Sequence, residues 1–335
     1  MAKAAILIIA AATLLPNFLI SSDTPSQKEA IAQLESAISK TNIFELPSFV
    51  MRADIEIENN GKSFSGKYLL LWNGPQQWRE EISLPGYHEI QVGGKGVISV
   101  FRNADFAPLG VYNLHRALGF GGAMQGIERP SFVQIGLGMK DVLKKTREHK
   151  EHGEKIRCFA FEDAQNKTSE RCQNPTSGFI DRGVDYSDSD FQPLGGKMFP
   201  RVMSIKQDGK TVAKANITSL TLSPDFPLNI FTPPDKASQQ PGCMNPDPPR
   251  LVKKVSPQYP QAAREARVEG SVMTIVSIGT DGVPKIVKVV ESANRDLESA
   301  SLSAIREWRY EPAMCGGQAV PQETVLQINY TLSSH

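Results

Sequence analysis

The chain has 335 residues, enough for two domains of ordinary size, and 40% of them are hydrophobic, which is sufficient to build buried cores. Its 37 basic residues nearly balance its 36 acidic residues, so the formal net charge is only +1. The chain therefore has no excess of basic residues that would indicate nucleic-acid binding, and it has no acidic tail. Its hydrophobic content excludes a wholly disordered chain.

The first 22 residues, MAKAAILIIAAATLLPNFLISS, have the pattern of a secretory signal. One lysine precedes an uncharged run from Ala4 to about Ile20. The run is short for a membrane span, and Pro16 interrupts it. We therefore expect the chain to be exported. An uncleaved N-terminal anchor is the alternative, because the residues before Asp23 fit a cleavage site only loosely.

The chain has four cysteines, Cys158, Cys172, Cys243 and Cys315, and none of them forms a C-x-x-C pair, which disfavours a zinc or redox site. An exported compartment tolerates disulfides. Cys158 and Cys172 flank a segment with the pattern of two short strands around a turn, so we predict a bridge worth about 3 kcal/mol through restriction of the unfolded chain. Cys243 and Cys315 would form the second pair. Four free buried thiols are the alternative.

Alternation with period two dominates the next part of the chain. After an amphipathic helix at 28–40, VMRADIEIE (50–58) alternates apolar with charged residues, and NNG follows as a hairpin turn. Further short strands come in sequence, joined by Gly, Pro and Asn turns, with helical or mixed segments at 109–120 and 132–145. This order predicts one α+β domain, roughly 26–237, built on an antiparallel meander.

The order strand, NGPQQWREEI, LPGY, strand, glycine pair, VISVF and a terminal FTPPDKA resembles the LolA-type half-barrel of periplasmic lipoprotein carriers. In that family a curved antiparallel sheet, closed by helices, wraps an apolar cavity that holds acyl chains. The resemblance implies an apolar cavity on the concave face with Trp72, Trp78, Ile82 and Leu84, and a lipid or acyl ligand. The alternative is that these four side chains only fill a core.

Residues 238–248, SQQPGCMNPDP, are polar and proline-rich and lack apolar periodicity, which predicts a flexible linker. Residues 249–335 then predict a second, smaller domain. It has a short helix, two strands around a TDG turn, a helix capped by Asn294 and a final alternating strand. We expect Trp308 and Tyr310 to cover the open face of the three-stranded sheet, because so small a module needs large aromatic side chains to bury enough surface.

Five segments in this order, PQYPQAA, EGSV, DG, AIREWRYEP and LQINY, resemble the C-terminal domain of TonB proteins, the periplasmic end of a system that opens outer-membrane transporters. The resemblance implies a periplasmic protein whose last strand pairs with an extended peptide of the transporter by β-augmentation. It also implies a second contact just before PQYP. The residues carried over to partner binding are Val255, Ser256, Gln258, Tyr259, Thr324, Val325, Gln327, Asn329 and Thr331.

Two features expected of a complete TonB energy transducer are missing from the sequence. No histidine precedes His88, and a folded domain stands where a long proline-rich spacer is expected. The resemblance therefore supports peptide binding but does not predict proton-driven coupling. The edge strand has an alternative use, in which a sister molecule pairs with it to form a homodimer or the chain's own loop covers it.

The sequence shows no catalytic motif, so we predict that the chain is not an enzyme and has no cofactor or metal. HKEH at 149–152 has near-ligand spacing but lies in a charged run typical of a solvated face. The main hypothesis is an exported TonB-family protein that binds an outer-membrane transporter or another envelope protein and takes part in transmembrane transport. The alternative is a periplasmic lipid or lipoprotein carrier that uses the TonB-like module for docking or dimerisation.

Overall fold

The computed structural model describes residues 25–332 apart from 60, 95, 119–141, 152, 163–165, 167, 175–179, 182–185, 208, 224 and 243–246. The α-helices are α1 (Gln27–Thr41), α2 (Leu109–Leu118), α3 (Gln261–Glu265) and α4 (Arg295–Glu307). The strands are β1 (Phe49–Asn59), β2 (Lys62–Trp72), β3 (Gln77–Leu84), β4 (Tyr87–Gly94), β5 (Val97–Arg102), β6 (Val142–Glu151), β7 (Glu154–Glu162), β8 (Thr168–Gln173), β9 (Ile180–Asp181), β10 (Tyr186–Leu194), β11 (Lys197–Gln207), β12 (Lys210–Leu222), β13 (Ser238–Pro241), β14 (Arg250–Lys253), β15 (Gly270–Ile278), β16 (Pro284–Ser292), β17 (Arg309–Glu311), β18 (Ala313–Cys315), β19 (Gln318–Val320) and β20 (Gln322–Tyr330). Within this described part, every helix is too short or too polar to span a bilayer.

The largest sheet has nine strands in the order β10-β11-β12-β1-β2-β3-β4-β5-β13. All neighbouring strands are antiparallel. In β1 the alternation predicted from VMRADIEIE is observed, since Met51, Ala53, Ile55 and Ile57 are buried while Arg52 is exposed. The α+β class and the antiparallel meander are confirmed.

The two faces of this sheet are covered differently. One face carries the main core, and α2 lies on it against β1, β11 and β12, with Val111 and Leu114 fully buried. The opposite face has a smaller apolar cluster in which Phe231, from a short 3-10 turn, packs with Leu71 and Ile90. The core face is where α2 and the sheet position the polar side chains described below.

A second sheet, β6-β7-β8-β9, packs its Phe159 and Phe161 against Leu34 of α1. The sequence predicted a helical or mixed segment at 132–145. Of that segment, 132–141 lies outside the described residues, and the part from 142 onward is strand β6 instead of helix. Charged residues of β6 form ion pairs with residues of other strands, as Arg147 does with Glu170. The local sequence pattern of β6 does not predict such pairs.

The segment predicted as a flexible linker, 238–248, has a different structure at its start. Residues Ser238–Pro241 form β13, which pairs antiparallel with β5 and adds the ninth strand to the large sheet. The Ser238 hydroxyl also donates to the Val100 carbonyl at 3.1 Å. Backbone pairing with β5 therefore fixes this stretch although it has no apolar periodicity of its own.

The predicted bridge between Cys158 and Cys172 is confirmed, with an S–S distance of 2.08 Å. The two cysteines lie directly opposite each other on β7 and β8. Cys315 is also disulfide-bonded. Its predicted partner, Cys243, lies outside the described residues.

The C-terminal part of the chain is a three-stranded antiparallel sheet in the order β16-β15-β20, with α4 packed on one face. Asn294 caps α4 as predicted, because its side chain accepts hydrogen bonds from the backbone N–H groups of Asp296 and Leu297. Trp308 ends the helix and is buried in a core shared with Ile328, while Tyr310 packs at its margin. The predicted three-stranded sheet packed on helices is confirmed.

Candidate functional site

Strand β20 lies at the edge of its sheet. It pairs with β15 along its whole length, from Gln322 opposite Ile278 to Tyr330 opposite Gly270. No strand of the described residues pairs with its other side. On that side the backbone polar groups of β20 have no strand partner among the described residues, as is typical of an edge strand.

The side chains of β20 divide the strand into a buried face and a polar face. Ile328 and Tyr330 are buried on the side of α4, and the Tyr330 hydroxyl lies 2.8 Å from the Ser301 hydroxyl. Gln327 and Asn329 are exposed and joined by a hydrogen bond of 3.0 Å between their amides. The buried residues hold the strand in place while the polar ones keep its other face in solvent.

The remaining predicted contacts on this strand are partly or fully exposed. Thr324 and Val325 are half-buried, and Thr331 is exposed just beyond the end of β20.

The segment 255–259 meets β20 at its C-terminal end. The Trp308 indole N–H donates to the Val255 carbonyl at 2.7 Å, which fixes the start of the segment. The Tyr259 ring packs edge-on against the Tyr330 ring with centroids 5.3 Å apart. Ser256 and Gln258 are exposed between these two anchors. The structure thus brings together the two segments predicted to touch a partner.

The N-terminal end of β20 contacts the first domain, which the sequence analysis did not predict. The Tyr112 hydroxyl donates to Glu323 Oε2 at 3.1 Å, and Arg102 Nη1 lies 3.7 Å from the same oxygen. Beside this polar contact, Ile275 belongs to the main core of the large sheet, and Val325 packs against that core. No local signal in the sequence joins residues so far apart along the chain.

The four residues predicted to line an apolar cavity lie together. Trp72, Trp78 and Ile82 are at most 1% exposed, and Leu84 packs against the same cluster. The Trp72 ring contacts Phe44 with centroids 5.2 Å apart. Other protein side chains therefore surround these residues in the described part of the chain.

Between these aromatics and α2 lies a group of buried polar residues. Glu80 of β3, Glu89 of β4 and His115 of α2 are each 5% exposed or less. Glu89 is paired with Arg102. This group was not predicted from the sequence, although alternation places Glu80 between Trp78 and Ile82 on the inward face of its strand.

The buried charges shift one another's ionisation. Burial opposes the charge of Glu89, but the charges of Arg102 and His115 and the hydrogen bonds from Tyr87 and Gln91 outweigh it, so the pKa of Glu89 is lowered. Burial likewise opposes the charge of His115, but the carboxylates of Glu80 and Glu89 raise its pKa. The region is thus strongly polar inside an otherwise apolar core.

The C-terminal part of the chain is a small α+β module. No strand of the described residues pairs with the outer edge of β20. Contacts with Trp308 and Tyr330 hold the segment 255–259 beside that strand. Residues 255–332 match the family model for the Gram-negative bacterial TonB protein C-terminal domain, so the chain carries a domain of this family there.

Protein TonB of Xanthomonas campestris pv. campestris strain B100 is 35% identical over 78 residues, which are 23% of this chain and 35% of the relative. Protein TonB of Escherichia coli K12 is 31% identical over 84 residues, 25% of this chain and 35% of the relative. The match therefore spans about a third of the length of these relatives.

Solved structures were also similar. The TonB C-terminal domain of Pseudomonas aeruginosa has 23% identity and a TM-score of 0.22, covering 26% of this chain and 89% of that one. A LolA superfamily protein of Nitrosomonas europaea has 16% identity and a TM-score of 0.33, covering 61% of this chain and 97% of that one.

Proposed function

We propose that the chain is an exported, periplasmic binding protein that captures an extended peptide of an outer-membrane transporter, or of another envelope protein, by β-augmentation on β20. The observation that carries the proposal is the outer edge of β20, which no strand of the described residues occupies. A peptide laid along it would gain backbone hydrogen bonds in the manner of a fourth strand. The match to the TonB C-terminal family supports a role in envelope transport.

Specificity would come from side chains beside that edge. The exposed amides of Gln327 and Asn329 lie along the strand, and Ser256 and Gln258 flank its C-terminal end through the contact between Tyr259 and Tyr330. These groups offer hydrogen bonds without a buried charge, which suits a polar peptide. The proposed role is binding rather than catalysis.

The test is a calorimetric titration of the whole mature chain with short peptides from the N-terminal segments of outer-membrane transporters. The best binder is then made in two N-methylated forms that carry methyl groups on complementary sets of alternate residues. Only one set faces β20, so methylation of three of its N–H groups should weaken binding by roughly tenfold or more. The other set is the matched control and should leave affinity nearly unchanged.

Two results would contradict β-augmentation: indifference of the folded protein to every peptide, or equal loss with both methylated sets. Sedimentation at rising protein concentration tests the dimer alternative, because pairing of β20 with the same strand of a second copy would raise the mass and compete with the peptide.

Native mass spectrometry after gentle purification tests the carrier alternative. Co-purifying acyl species would favour a lipid-binding role for the first domain.

A further inference from the structure

The core of the large sheet contains three side chains of the kinds that bind metals. Glu80, Glu89 and His115 each offer one ligand atom, and these atoms lie within 4.8 Å of one another. We propose that the three residues form a buried site for a divalent transition-type cation such as Zn²⁺. None of the three residues lies on β20, and the proposal does not rest on the proposed function.

Three buried polar atoms of this group have no hydrogen-bond partner in the part of the chain that the structure describes. Glu80 Oε2 and both ring nitrogens of His115 are buried without a hydrogen-bond partner among the described residues. His115 Nε2 lies 3.3 Å from Glu80 Oε2, which is an ion pair when the imidazole is protonated. An unsatisfied buried polar group is unfavourable, more so if it is charged, and a shared cation would satisfy the carboxylate and the imidazole together.

Hydrogen bonds from neighbouring side chains hold both carboxylates in place, at one oxygen of Glu80 and at both oxygens of Glu89. The Tyr68 hydroxyl donates to Glu80 Oε1 at 2.9 Å. Gln91 donates its amide N–H to Glu89 Oε1 at 2.7 Å, and the Tyr87 hydroxyl donates to Glu89 Oε2 at 2.6 Å. Metal sites use such outer hydrogen bonds to orient their ligands. Here they leave Glu80 Oε2 directed towards the imidazole.

The charges of this region are unbalanced. It holds the three carboxylates of Glu80, Glu89 and Glu323, and the guanidinium of Arg102 pairs with Glu89 and lies near Glu323. A metal would bind the neutral imidazole and displace any proton held there. Two negative charges would then remain beside the ion, and a divalent cation would neutralise both. Burial of uncompensated charge is unfavourable, so this balance favours an ion of charge +2.

The donor set indicates the class of metal. One imidazole and two carboxylates suit Zn²⁺ and its first-row neighbours, whereas Ca²⁺ and Mg²⁺ prefer oxygen ligands alone. Zinc ligands lie about 2.0–2.2 Å from the ion and therefore roughly 3–4 Å from one another, a modest closure of the observed group. Three protein ligands would leave at least one coordination position for water or another small ligand.

The experiment uses the whole untagged chain after removal of metal with a chelator. Co²⁺ is added and its visible d–d absorption recorded, followed by displacement with Zn²⁺. We expect the protein to bind one equivalent of Co²⁺. The d–d spectrum should be typical of an ion with a low coordination number and with nitrogen and oxygen ligands. Uptake of neither ion by the folded protein would overturn the proposal and leave a protonated imidazole as the partner of Glu80.

Three variants locate the ion. His115→Gln removes a ligand and is expected to abolish the Co²⁺ band. Tyr68→Phe keeps the ring but removes the hydroxyl that orients Glu80, so affinity should fall about tenfold; it decides the question if His115→Gln does not fold. His88→Asn is the control, since His88 lies on β4 beside Glu89 but on the other face. Unchanged Co²⁺ binding in Tyr68→Phe and in any folded His115→Gln would overturn the assignment.

Discussion

Gly93 of β4 lies directly beneath the indole ring of Trp78 on β3. The two residues are paired across the strands, and a Cβ at position 93 would lie 2.1 Å from Trp78 Cε2. Trp78 is itself only 1% exposed, so the ring has no solvent into which to move. Glycine is needed here for close packing, because an aromatic side chain occupies the space that any other residue would fill.

We predict that Gly93→Ala destabilises the protein by about 1–3 kcal/mol or more, because the added methyl group must displace the buried indole ring. The measurement is the free energy of unfolding from a urea titration. Gly94→Ala is the control, since the nearest atom to its Cβ would be the Gln76 carbonyl oxygen at 3.3 Å. Equal losses in the two variants would show that Trp78 is not the cause.

At the scale of elements, the strands and helices that were predicted from the sequence are those that a local pattern of residues determines. Alternation located β1, and the Asn294 cap located the start of α4. Strand β13 was missed because only its pairing with β5 makes it a strand. The polar group was missed for a similar reason. Alternation predicts that Glu80 faces inward. That it belongs to a buried polar group follows only from its contact with His115, which lies on a helix distant in the sequence.

The cap of α4 gives a prediction at this scale. Asn294 Oδ1 accepts from the backbone N–H of Asp296 at 2.7 Å and of Leu297 at 3.4 Å. Asn294→Ala removes both bonds and is expected to cost about 1 kcal/mol of stability. Asn294→Asp keeps an acceptor at the same place and should remain close to wild type. Thermal unfolding followed by circular dichroism distinguishes the two, and a wild-type melting temperature for Asn294→Ala would contradict the assignment.

At the scale of the molecule, the C-terminal sheet uses both faces. One face packs on α4, and the other packs on the first domain through Ile275 and Val325. Arg102 bridges the two domains, because it pairs with Glu89 in the first domain and lies near Glu323 in the second. Strand β20 is therefore held at one end by the first domain, and no strand of the described residues pairs with its outer edge. The peptide that we propose as its partner would meet a strand that is already ordered.

Val325→Glu tests whether this contact holds the two domains together. The new carboxylate would lie in an apolar contact two residues from Glu323. Its burial without a partner is expected to cost more than the about 1–3 kcal/mol of an unpaired neutral polar group. We expect the two domains to separate so that the carboxylate reaches solvent. Small-angle scattering would record the separation as a larger radius of gyration. Gln327→Glu introduces the same charge at an exposed position of the same strand and should change neither stability nor size. A compact, fully stable Val325→Glu protein would mean that Val325 does not contribute to holding the domains together.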